Sequence, residues 1–537
     1  MSAVRGDLEW QSIPRLAMLG AERFGSAEAI VIGERRLTFE ALATATRDAV
    51  RAAIAAGIEP GDRAGIWAPN SLEWMLAALG VMGAGGSIVP VNTRFKGGEA
   101  AYVLTRSGAS VLFTVNGFLG VDYVALLREP GVEHTPLRRI VILDGKPPPG
   151  TVPWAEFLAA GSSVSRDEAD GRIDAVRASD VSDIQFTSGT TGRPKGAITT
   201  HGQNLRAFAD YTASVGLREG DRYLIVNPFF HSFGFKAGWL ACLMRGATAF
   251  PKAVFDLDDV LTCVQRERIT VLPGPPTLLH GILDHPSRPS FDLSALRLTI
   301  TGAAVIPVEL IRRLRDERLF DDVLTGYGLT ETSGLVSVSS RDDPPEIVAG
   351  TSGRVVDGVE VKVVGEDGTD LPHGFPGEIL VRGYNVTQGY YGDPDETARA
   401  IDAEGWLHTG DIGTIDERRY VRITDRKKDM FIVGGFNAYP AEIENLLLGL
   451  DAIAQVAVVG VPDDRLGEVG AAFVIPKDGR GLTADDVHAF ARSTMANFKV
   501  PRYIELVDAL PVNASGKVLK YELRERARDL AARTLAR

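Results

Sequence analysis

The sequence predicts an α/β protein with more than one domain, and three observations lead to this prediction. Short runs of Val, Ile and Leu alternate with amphipathic segments from the N-terminus to residue 324. Residues 350–425 contain frequent glycines and alternate between apolar and polar positions, and an α+β pattern follows Met430. The chain has 537 residues, which is too long for a single hydrophobic core.

The apolar runs of the N-terminal region show little polar alternation, as expected of strands that are buried on both faces. The first set comprises residues 64–67, 87–91, 111–114 and 140–143. Buried strands separated by helices imply a largely parallel sheet covered on both faces. The pattern repeats between Leu205 and Leu324, with strands expected near residues 223–226, 247–250, 271–273 and 298–301. Two α/β sheet subdomains are therefore predicted.

One segment of this region needs a choice between a membrane helix and a buried core. Residues 74–91 carry no charge, but they include glycines and a proline, and Ser71 with Glu73 is typical of a helix start. We predict a buried helix, a glycine turn and a buried strand rather than a membrane span. The first ten residues lack an apolar run, so we predict no secretory signal and a cytoplasmic protein.

The C-terminal part of the sequence predicts two smaller units. Residues 359–364 alternate by side and residues 377–382 follow, which is typical of a small antiparallel, β-barrel-like subdomain. Beyond it, an α+β segment is expected, with helix 440–450, strands 454–461 and 470–475, and helix 483–495. The change from a glycine-rich, alternating pattern to an α+β pattern predicts a domain boundary near residues 425–429. The polar stretch 161–171 is expected to be a solvated loop.

The composition excludes some functions. A net charge of −12 and an isoelectric point near 5.3 disfavour nucleic acid as a partner, because no net attraction to a phosphate backbone exists. The two cysteines, Cys242 and Cys263, lie in apolar contexts without metal-ligand spacing. A reducing compartment and no disulfide framework are therefore expected.

A glycine-rich loop at residues 187–196 is the most informative stretch of the sequence. It contains three glycines, three threonines, a serine and the cations Arg193 and Lys195, and it follows a short apolar strand, 181–186, that Asp183 interrupts. Backbone N–H groups and hydroxyls in such a loop can surround an anion. A flexible surface turn is the alternative. The spacing does not fit a Walker P-loop, because Lys195 is followed by Gly196 rather than by Ser or Thr. The loop is predicted to bind phosphates.

Further motifs follow the loop in order, at residues 228–234, 301–304, 326–332, 405–411, 425–429, 434–440 and 511–517. With the loop, they resemble the pattern of the adenylate-forming superfamily of acyl-CoA synthetases, peptide-synthetase adenylation domains and beetle luciferases. The resemblance covers essentially the whole chain. It implies a large N-terminal domain (1–424), a hinge (425–429) and a small mobile C-terminal domain (430–537). It leaves open whether two copies pair as a homodimer.

The resemblance implies an enzyme that joins a carboxylic acid to coenzyme A with ATP and Mg²⁺, through an acyl-adenylate. Its nucleotide-binding residues would be Thr187, Ser188, Gly189, Thr190, Thr191, Gly192, Lys195, Gly302, Ala303, Ala304, Tyr327, Thr330, Asp411, Arg426 and Lys517. Tyr327 would stack on adenine, Asp411 would hold the ribose hydroxyls and Glu331 would bind Mg²⁺. A carboxylate that follows a tight turn suits a diol, although a turn-capping Asp is the simpler alternative.

Four residues are implied in catalysis: Lys517, Thr190, Glu331 and His231. Lys517 would bridge the carboxylate and the α-phosphate, a role in which positioned charge supplies most of the catalysis. Lys428 would be the hinge residue, and Gly434, Gly435 and Phe436 would approach the thiol. His231 lies in an aromatic sequence context, where positioning is favoured over acid–base work.

The acyl pocket is implied to contain Phe230, His231, Phe235, Lys236, Gly302 and Gly328. Around these residues the sequence looks most like actinobacterial ligases that act on the steroid-derived C/D-ring propionate, a bicyclic dione. Medium- or long-chain fatty acids are the alternative substrates. For Lys236, a substrate carbonyl, a CoA phosphate and a solvated surface position all remain open.

Other members of the superfamily remain as rival functions. A fatty acyl-AMP ligase would load a carrier protein instead of CoA, and a peptide-synthetase module would append a carrier domain, which this sequence does not contain after Lys517. A paralogue without activity is disfavoured because the expected catalytic positions are all present, namely Thr190, Glu331, Asp411, Arg426 and Lys517. Luciferase activity shares the motifs and is not expected.

Overall fold

The computed structural model describes residues 5–130, 132, 135–187, 193–302, 308–365, 367–426, 431–438, 440–477, 481–511, 518 and 520–535. By its internal contacts the chain divides into two compact units. The first consists of Met1–Thr93, Ala100–Phe186 and Gly196–Thr424, and the second of Arg94–Glu99, Thr187–Lys195 and Asp425–Arg537.

The strands of the described residues are β1 (Glu28–Ile32), β2 (Arg35–Thr38), β3 (Arg63–Trp67), β4 (Ser87–Pro90), β5 (Val111–Phe118), β6 (Val121–Asp122), β7 (Arg139–Asp144), β8 (Val152–Pro153), β9 (Val181–Thr187), β10 (Lys195–Thr200), β11 (Arg222–Ile225), β12 (Thr248–Pro251), β13 (Leu298–Thr301), β14 (Asp322–Tyr327), β15 (Ser337–Val338), β16 (Arg354–Val355), β17 (Val359–Val364), β18 (Gly377–Gly383), β19 (Leu407–Ile415), β20 (Val421–Arg426), β21 (Phe431–Val433), β22 (Phe436–Ala438), β23 (Ile453–Asp463), β24 (Gly467–Pro476) and β25 (Tyr503–Leu506).

The α-helices are α1 (Gly6–Glu9), α2 (Ile13–Phe24), α3 (Phe39–Ala55), α4 (Leu72–Gly83), α5 (Gly97–Ser107), α6 (Tyr123–Leu127), α7 (Trp154–Ala160), α8 (Arg166–Ala175), α9 (His201–Ser214), α10 (Ser232–Gly234), α11 (Ala241–Arg245), α12 (Leu257–Glu267), α13 (Pro276–Leu283), α14 (Val308–Asp316), α15 (Pro345–Gly350), α16 (Pro394–Ala400), α17 (Pro440–Leu447), α18 (Ala484–Thr494) and α19 (Lys520–Leu535). Short 3₁₀ helices occupy Gly161–Ser163, Arg288–Ser290 and Thr330–Thr332, and a π-helix occupies Phe235–Leu240.

The largest sheet has the strand order β10-β9-β4-β3-β5-β7-β8, with β6 paired to β5. Its core pairs, β3 with β4 and β5, β4 with β9, and β5 with β7, are all parallel. The predicted parallel sheet is therefore confirmed. All residues of helix α4 except Glu73, and all residues of strand β4, are buried, as predicted for the uncharged segment.

A second α/β arrangement follows the first. Strands β11, β12 and β1 are parallel, and β2 closes that sheet as an antiparallel edge. Strand β13 pairs parallel with β14, and Val271 forms isolated bridges to both Tyr223 and Leu298. The repeated pattern of the sequence is thus confirmed as a second set of parallel strands. Strands β17 to β20 form the predicted antiparallel unit.

One predicted loop is wrong. Residues 161–171 form a 3₁₀ turn and most of α8, instead of a solvated loop. The hydroxyl of Ser165 accepts a hydrogen bond from the N–H of Glu168 and caps the helix. Ala169 and Ile173, one helical turn apart, are buried against Val50. Two apolar residues at helical spacing are enough to dock an otherwise polar helix.

The C-terminal unit has the strand order β22-β21-β24-β23, with β25 parallel to β24. Its predicted helices and strands are present as α17, β23, β24 and α18. The β21–β22 hairpin turns on Gly434 and Gly435, whose φ angles of 56° and 85° fit a two-residue turn that favours glycine.

Two further features concern the chain as a whole. Across the described ranges, no helix is both long enough and apolar enough to cross a membrane. Cys242 and Cys263 are free thiols inside the protein, and burial raises the pKa of both.

Candidate active site

The strands that flank the glycine-rich loop are described, although residues 188–192, which include Ser188, Gly189, Thr190, Thr191 and Gly192, lie outside the described residues. Thr187 ends β9 and Lys195 begins β10. A side chain at Gly196 would lie 2.7 Å from Ile184 and 3.0 Å from the Phe186 ring, so glycine allows β10 to approach β9 closely. The strand predicted before the loop is confirmed as β9, and β10, which follows the loop, was not predicted.

Asp411, in the middle of β19, contacts Tyr327 at the end of β14. The Tyr327 hydroxyl donates a 2.7 Å hydrogen bond to Oδ2 of Asp411, which is only 1% exposed. Asp411 lies within β19 rather than after a tight turn. Gly410, directly before it, has a positive φ of 70°, so the backbone bends inside the strand instead of in a turn. The Asp411 N–H also donates to the Thr409 hydroxyl. A buried carboxylate oriented by a phenol is well placed to accept hydroxyl hydrogen bonds.

Glycines line the approach to Tyr327. A Cβ atom on Gly302 would lie 2.8 Å from the Gly326 carbonyl oxygen, and one on Gly328 would collide with the backbone of Gly334. Gly302 follows β13 and Tyr327 ends β14, so both occur at the carboxyl edge of parallel strands, where ligands of α/β proteins bind. The missing side chains leave a flat surface on which a planar base could lie. Ala303 and Ala304 lie outside the described residues.

Glu331 is held by a tyrosine that the sequence did not single out. It lies with Thr330 in a 3₁₀ helix, and the Tyr390 hydroxyl donates a 3.0 Å hydrogen bond to Glu331 Oε1. Tyr390 forms an isolated bridge with Ala197 of β10, the strand that leaves the glycine-rich loop. The carboxylate is thus tied to the exit of that loop.

The donor chemistry at Glu331 fits Mg²⁺ bound together with phosphates. Magnesium favours oxygen ligands, keeps several waters and commonly uses one or two carboxylates plus substrate phosphates. The described part of the chain contains no group of three or more His, Cys, Asp or Glu residues that would form a metal cage. A single carboxylate such as Glu331 meets the requirement.

Glu378 is a second residue that sequence reasoning missed. It is 8% exposed, and its Oε1 accepts a 3.2 Å hydrogen bond from the N–H of Gly410, next to Asp411. Its position opposite Ile412 in the β18–β19 pair explains the contact. A charged residue directly before the apolar residues 379–381 was the available signal. Glu378 stabilises the bend that presents Asp411.

His231 directly precedes α10 in the first unit. Its imidazole is accessible to solvent although protein surrounds it. Burial, assisted by the Lys236 ammonium, lowers the pKa of His231 to about 4. Nδ1 accepts a hydrogen bond from the N–H of Phe233, so the ring is neutral and oriented near pH 7. These properties suit positioning rather than proton transfer.

The other residues predicted for the acyl pocket differ in exposure. Phe230 is half-buried. Phe235 and Lys236 have no accessible surface. Phe235 stacks on Trp239 at 4.9 Å between ring centroids. The Lys236 ammonium pairs with Asp183, which excludes the solvated surface position.

In the second unit, the predicted CoA-loop residues form the turn of the β21–β22 hairpin. Phe436 follows Gly434 and Gly435 and stacks on Phe498, with 4.9 Å between ring centroids. Arg426 ends β20. Lys428 and Lys517 lie outside the described residues.

Comparison with known proteins agrees with this geometry. Residues 19–391 match the family described as AMP-binding enzyme, and residues 442–517 match the AMP-binding enzyme C-terminal domain. The chain belongs to the AMP-binding enzyme family. The predicted superfamily and α/β fold are thereby confirmed.

Two relatives of this AMP-binding enzyme have the same printed name, 3-[(3aS,4S,7aS)-7a-methyl-1,5-dioxo-octahydro-1H-inden-4-yl]propanoyl:CoA ligase. The protein from Rhodococcus jostii is 49% identical over 95% of this chain and 98% of its own length. The protein from Mycobacterium tuberculosis is 48% identical over 93% of this chain and 95% of its own length.

Among solved structures, an o-succinylbenzoate CoA synthetase of Bacillus subtilis, bound with a product analogue, is similar to the AMP-binding enzyme. Its TM-score is 0.79 at 25% identity, over 95% of this chain and 98% of that chain. The family and these relatives identify the chain as an AMP-forming acyl-CoA ligase that acts on a carboxylic acid with ATP, Mg²⁺ and CoA.

Proposed function

We propose that this acyl-CoA ligase activates the propanoate side chain of a steroid-derived bicyclic dione. The observation that carries the proposal is the 49% and 48% identity, across nearly the full length, to two ligases named for that acyl group. We also propose that it works in the cytoplasm.

The reaction has two steps, and its atoms balance without an oxidant or reductant. A carboxylate oxygen attacks the α-phosphorus of ATP, and pyrophosphate leaves with the bonding electrons. The thiol of CoA then attacks the acyl carbon of the adenylate, loses its proton and displaces AMP. In both steps the protein must align the reactants and offset the charge that develops.

For the nucleotide, we assign Asp411 to the ribose hydroxyls and Tyr327 to one face of the adenine. The hydrogen bond between these residues and the burial of Asp411 support the assignment. Gly302, Ala303 and Ala304 would border the other face of the base. Thr330, Lys195 and residues 187–192 would hold the phosphates with backbone N–H groups, hydroxyls and a cation.

Mg²⁺ would be held by Glu331 together with phosphate oxygens, and when bound it would offset phosphate charge. The support is the fit of a single carboxylate, oriented by Tyr390, to a site that needs only one. Tyr390 acts through Glu331 and is therefore a positioning residue.

For the two half-reactions, we propose an N-terminal domain of residues 1–424, a hinge of residues 425–429 and a mobile domain of residues 430–537. Lys517 and Thr190 would assist adenylation, and Arg426 would contact ribose or phosphate. A change of backbone dihedrals at Lys428 would then bring Gly434, Gly435 and Phe436 to the thiol.

The acid would lie beside Phe230, His231, Gly302 and Gly328. His231 supports this assignment because it is neutral near pH 7 and its imidazole is accessible. A neutral imidazole beside the acyl chain neither attracts nor repels the substrate carboxylate.

The test is a pyrophosphate-release screen across bicyclic dione propanoates, medium- and long-chain fatty acids and aryl acids. The proposal expects the dione propanoate to have the highest kcat/KM. A higher value for a fatty acid would replace the proposed substrate with the alternative. Release of pyrophosphate without acyl-CoA, together with acylation of a carrier protein, would identify an acyl-AMP ligase instead.

A further inference from the structure

A fully buried lysine, Lys236, contacts the two strands that flank the glycine-rich loop. Lys236 and Asp183 have no accessible side-chain surface, and the Lys236 ammonium lies 3.0 Å from Oδ1 of Asp183. The same ammonium donates to the Thr199 hydroxyl at 3.4 Å. Asp183 belongs to β9, which enters the glycine-rich loop, and Thr199 belongs to β10, which leaves it. One cation therefore contacts both strands that support the loop.

The carboxylate of Asp183 is fixed from its other side. Its Oδ2 accepts hydrogen bonds from the Ser182 hydroxyl at 2.8 Å and from the Asn204 amide at 2.7 Å. These bonds hold the negative charge in one place whether or not Lys236 is present. The carboxylate is therefore fixed by residues of β9 and α9. Lys236 is the residue of the segment 231–240 that forms an ion pair with it.

A second contact joins the same two pieces of chain. The Ser232 hydroxyl donates a 2.7 Å hydrogen bond to Oε1 of Gln185. Gln185 lies two residues after Asp183, so both side chains project from the same face of β9. Ser232 directly follows His231, and Lys236 lies in the next turn. We refer to residues 231–240 as the acyl-pocket segment.

The backbone of this segment is unusual. It contains the short helix α10 and then a π-helix at Phe235–Leu240. Single π-helical turns are rare and occur often at functional sites, because their wider winding redirects side chains. A buried ion pair is seldom more stabilising than well-packed apolar residues. A segment that needed only stability would have no use for a lysine here.

We propose that Lys236 and Asp183 form a positioning pair that holds the acyl-pocket segment in register with strands β9 and β10. The pair thereby positions the acid beside His231. It also sets the charge state of His231, since the Lys236 ammonium opposes protonation of the imidazole. The proposal concerns the site of the proposed ligase reaction, but two of its tests do not depend on the substrate.

Among the described residues, Lys236 is the charge that acts on the pKa of His231. Lys236 comes from its own segment and Asp183 from β9, and Tyr223 of β11 donates to the Ala237 carbonyl behind the π-helix. Burial keeps Tyr223 neutral by raising its pKa. Asp183 and Lys236 are therefore the charges that a variant must remove together.

The experiment compares Lys236→Met, Asp183→Asn and the double variant with a matched control. The control is Asp221→Asn/Arg297→Met, which removes another buried ion pair of the same unit. Each single variant leaves a buried charge or amide unmatched and should lower the urea midpoint. The double variant should recover much of that loss, because no buried charge remains.

Kinetics then separate positioning from stability. With whichever acid is most active in the screen, we expect the double variant to raise the KM for the acid about tenfold in pyrophosphate release. The KM for CoA with supplied acyl-adenylate should not change, and the control variant should retain the wild-type KM for the acid. A double variant with wild-type KM for the acid overturns the positioning role.

Titration of His231 tests the electrostatic part without any substrate. In ¹³C-histidine-labelled protein, a His231→Gln variant identifies the resonance among the eight histidines. The wild-type midpoint is expected near pH 4. In the double variant the titration midpoint of His231 should move to higher pH, because the Lys236 charge is gone. In the Asp221/Arg297 control the midpoint should equal that of the wild type. An unchanged midpoint in the double variant overturns the proposed effect on His231.

Discussion

The hydroxyl of Tyr327 donates a 2.7 Å hydrogen bond to the buried Asp411, which lies 84 positions later in the chain. Tyr327 ends a strand of the second parallel arrangement, and Asp411 lies in the antiparallel unit. The bond therefore joins two sheets at one point. Because the phenol fills one acceptor site of the carboxylate, it orients the remaining lone pairs toward a ligand.

Asp411→Asn is expected to raise the KM for ATP about 10- to 100-fold with a smaller change in kcat. Hydrogen bonds to a charged acceptor contribute about 1.5–3 kcal/mol each, and the amide loses that charge. Tyr327→Phe keeps the aromatic ring and should raise the KM for ATP only a few-fold. Pyrophosphate release measured against ATP concentration tests both, and an unchanged KM in Asp411→Asn removes the ribose assignment. Glu360→Gln, in an exposed ion pair with Arg382, is the control.

Much of the fold could be predicted because its strands are buried on both faces. Continuous apolar runs such as those of β3, β4 and β5 leave little choice of structure. Helix α8 was missed because its sequence is polar. Ala169 and Ile173 are its buried residues, and they alone form the apolar face that packs on the protein. The pattern that identifies a helix is weak when two residues form the buried face.

The site could be predicted only as far as its motifs reach. Tyr327, Glu331 and Asp411 lie in local motifs, but the partners that orient two of them do not. Tyr390 contacts Glu331 across 59 positions, and Glu378 contacts Gly410 across 32. Lys236 looked like a pocket or surface residue because its partner, Asp183, comes from a distant strand. Such pairings depend on tertiary packing that a single sequence does not encode locally.

Glu331→Gln should increase the Mg²⁺ concentration needed for half-maximal activity by about tenfold. The amide can still accept the hydrogen bond from Tyr390, but it is a weaker ligand for a hard cation. Tyr390→Phe should produce a smaller shift, since the carboxylate remains. Pyrophosphate release during Mg²⁺ titration measures both. If Glu331→Gln had the wild-type Mg²⁺ dependence, another group would have to hold the metal.

Lys517→Ala should nearly abolish formation of acyl-adenylate while it spares the transfer of supplied acyl-adenylate to CoA. Loss of a charge contact made in the transition state costs about 10²–10³-fold. The two half-reactions are assayed separately, by pyrophosphate release and by consumption of acyl-adenylate. Lys520→Ala, which removes a nearby lysine paired with Glu444 at 2.8 Å, is the control. Equal loss in both half-reactions is incompatible with the proposed role of Lys517.

Lys428→Pro is expected to leave pyrophosphate release near normal and to slow the transfer to CoA strongly. Proline fixes φ, so a residue that must change its backbone dihedrals between the half-reactions is held in one state. Lys428→Ala removes the side chain but not the backbone freedom, and it should behave like the wild type. Overall acyl-CoA formation at the wild-type rate in Lys428→Pro would show that the pivot lies elsewhere.

The stability of the protein should fall in acid through His201, at the start of α9. This histidine is buried, its Nδ1 accepts a 3.3 Å hydrogen bond from the N–H of Ile13, and burial lowers its pKa to about 3. Unfolded histidine has a pKa near 6.5, so between pH 6.5 and about 3 the unfolded chain binds a proton that the folded chain excludes. The contribution of neutral His201 is complete above pH 6.5 and falls by up to about 1.4 kcal/mol for each unit below it. His201→Gln keeps an acceptor but cannot titrate. Between pH 7.5 and 5, the urea midpoint of the wild type should therefore fall further than that of His201→Gln, and equal falls would show that His201 does not control the acid sensitivity.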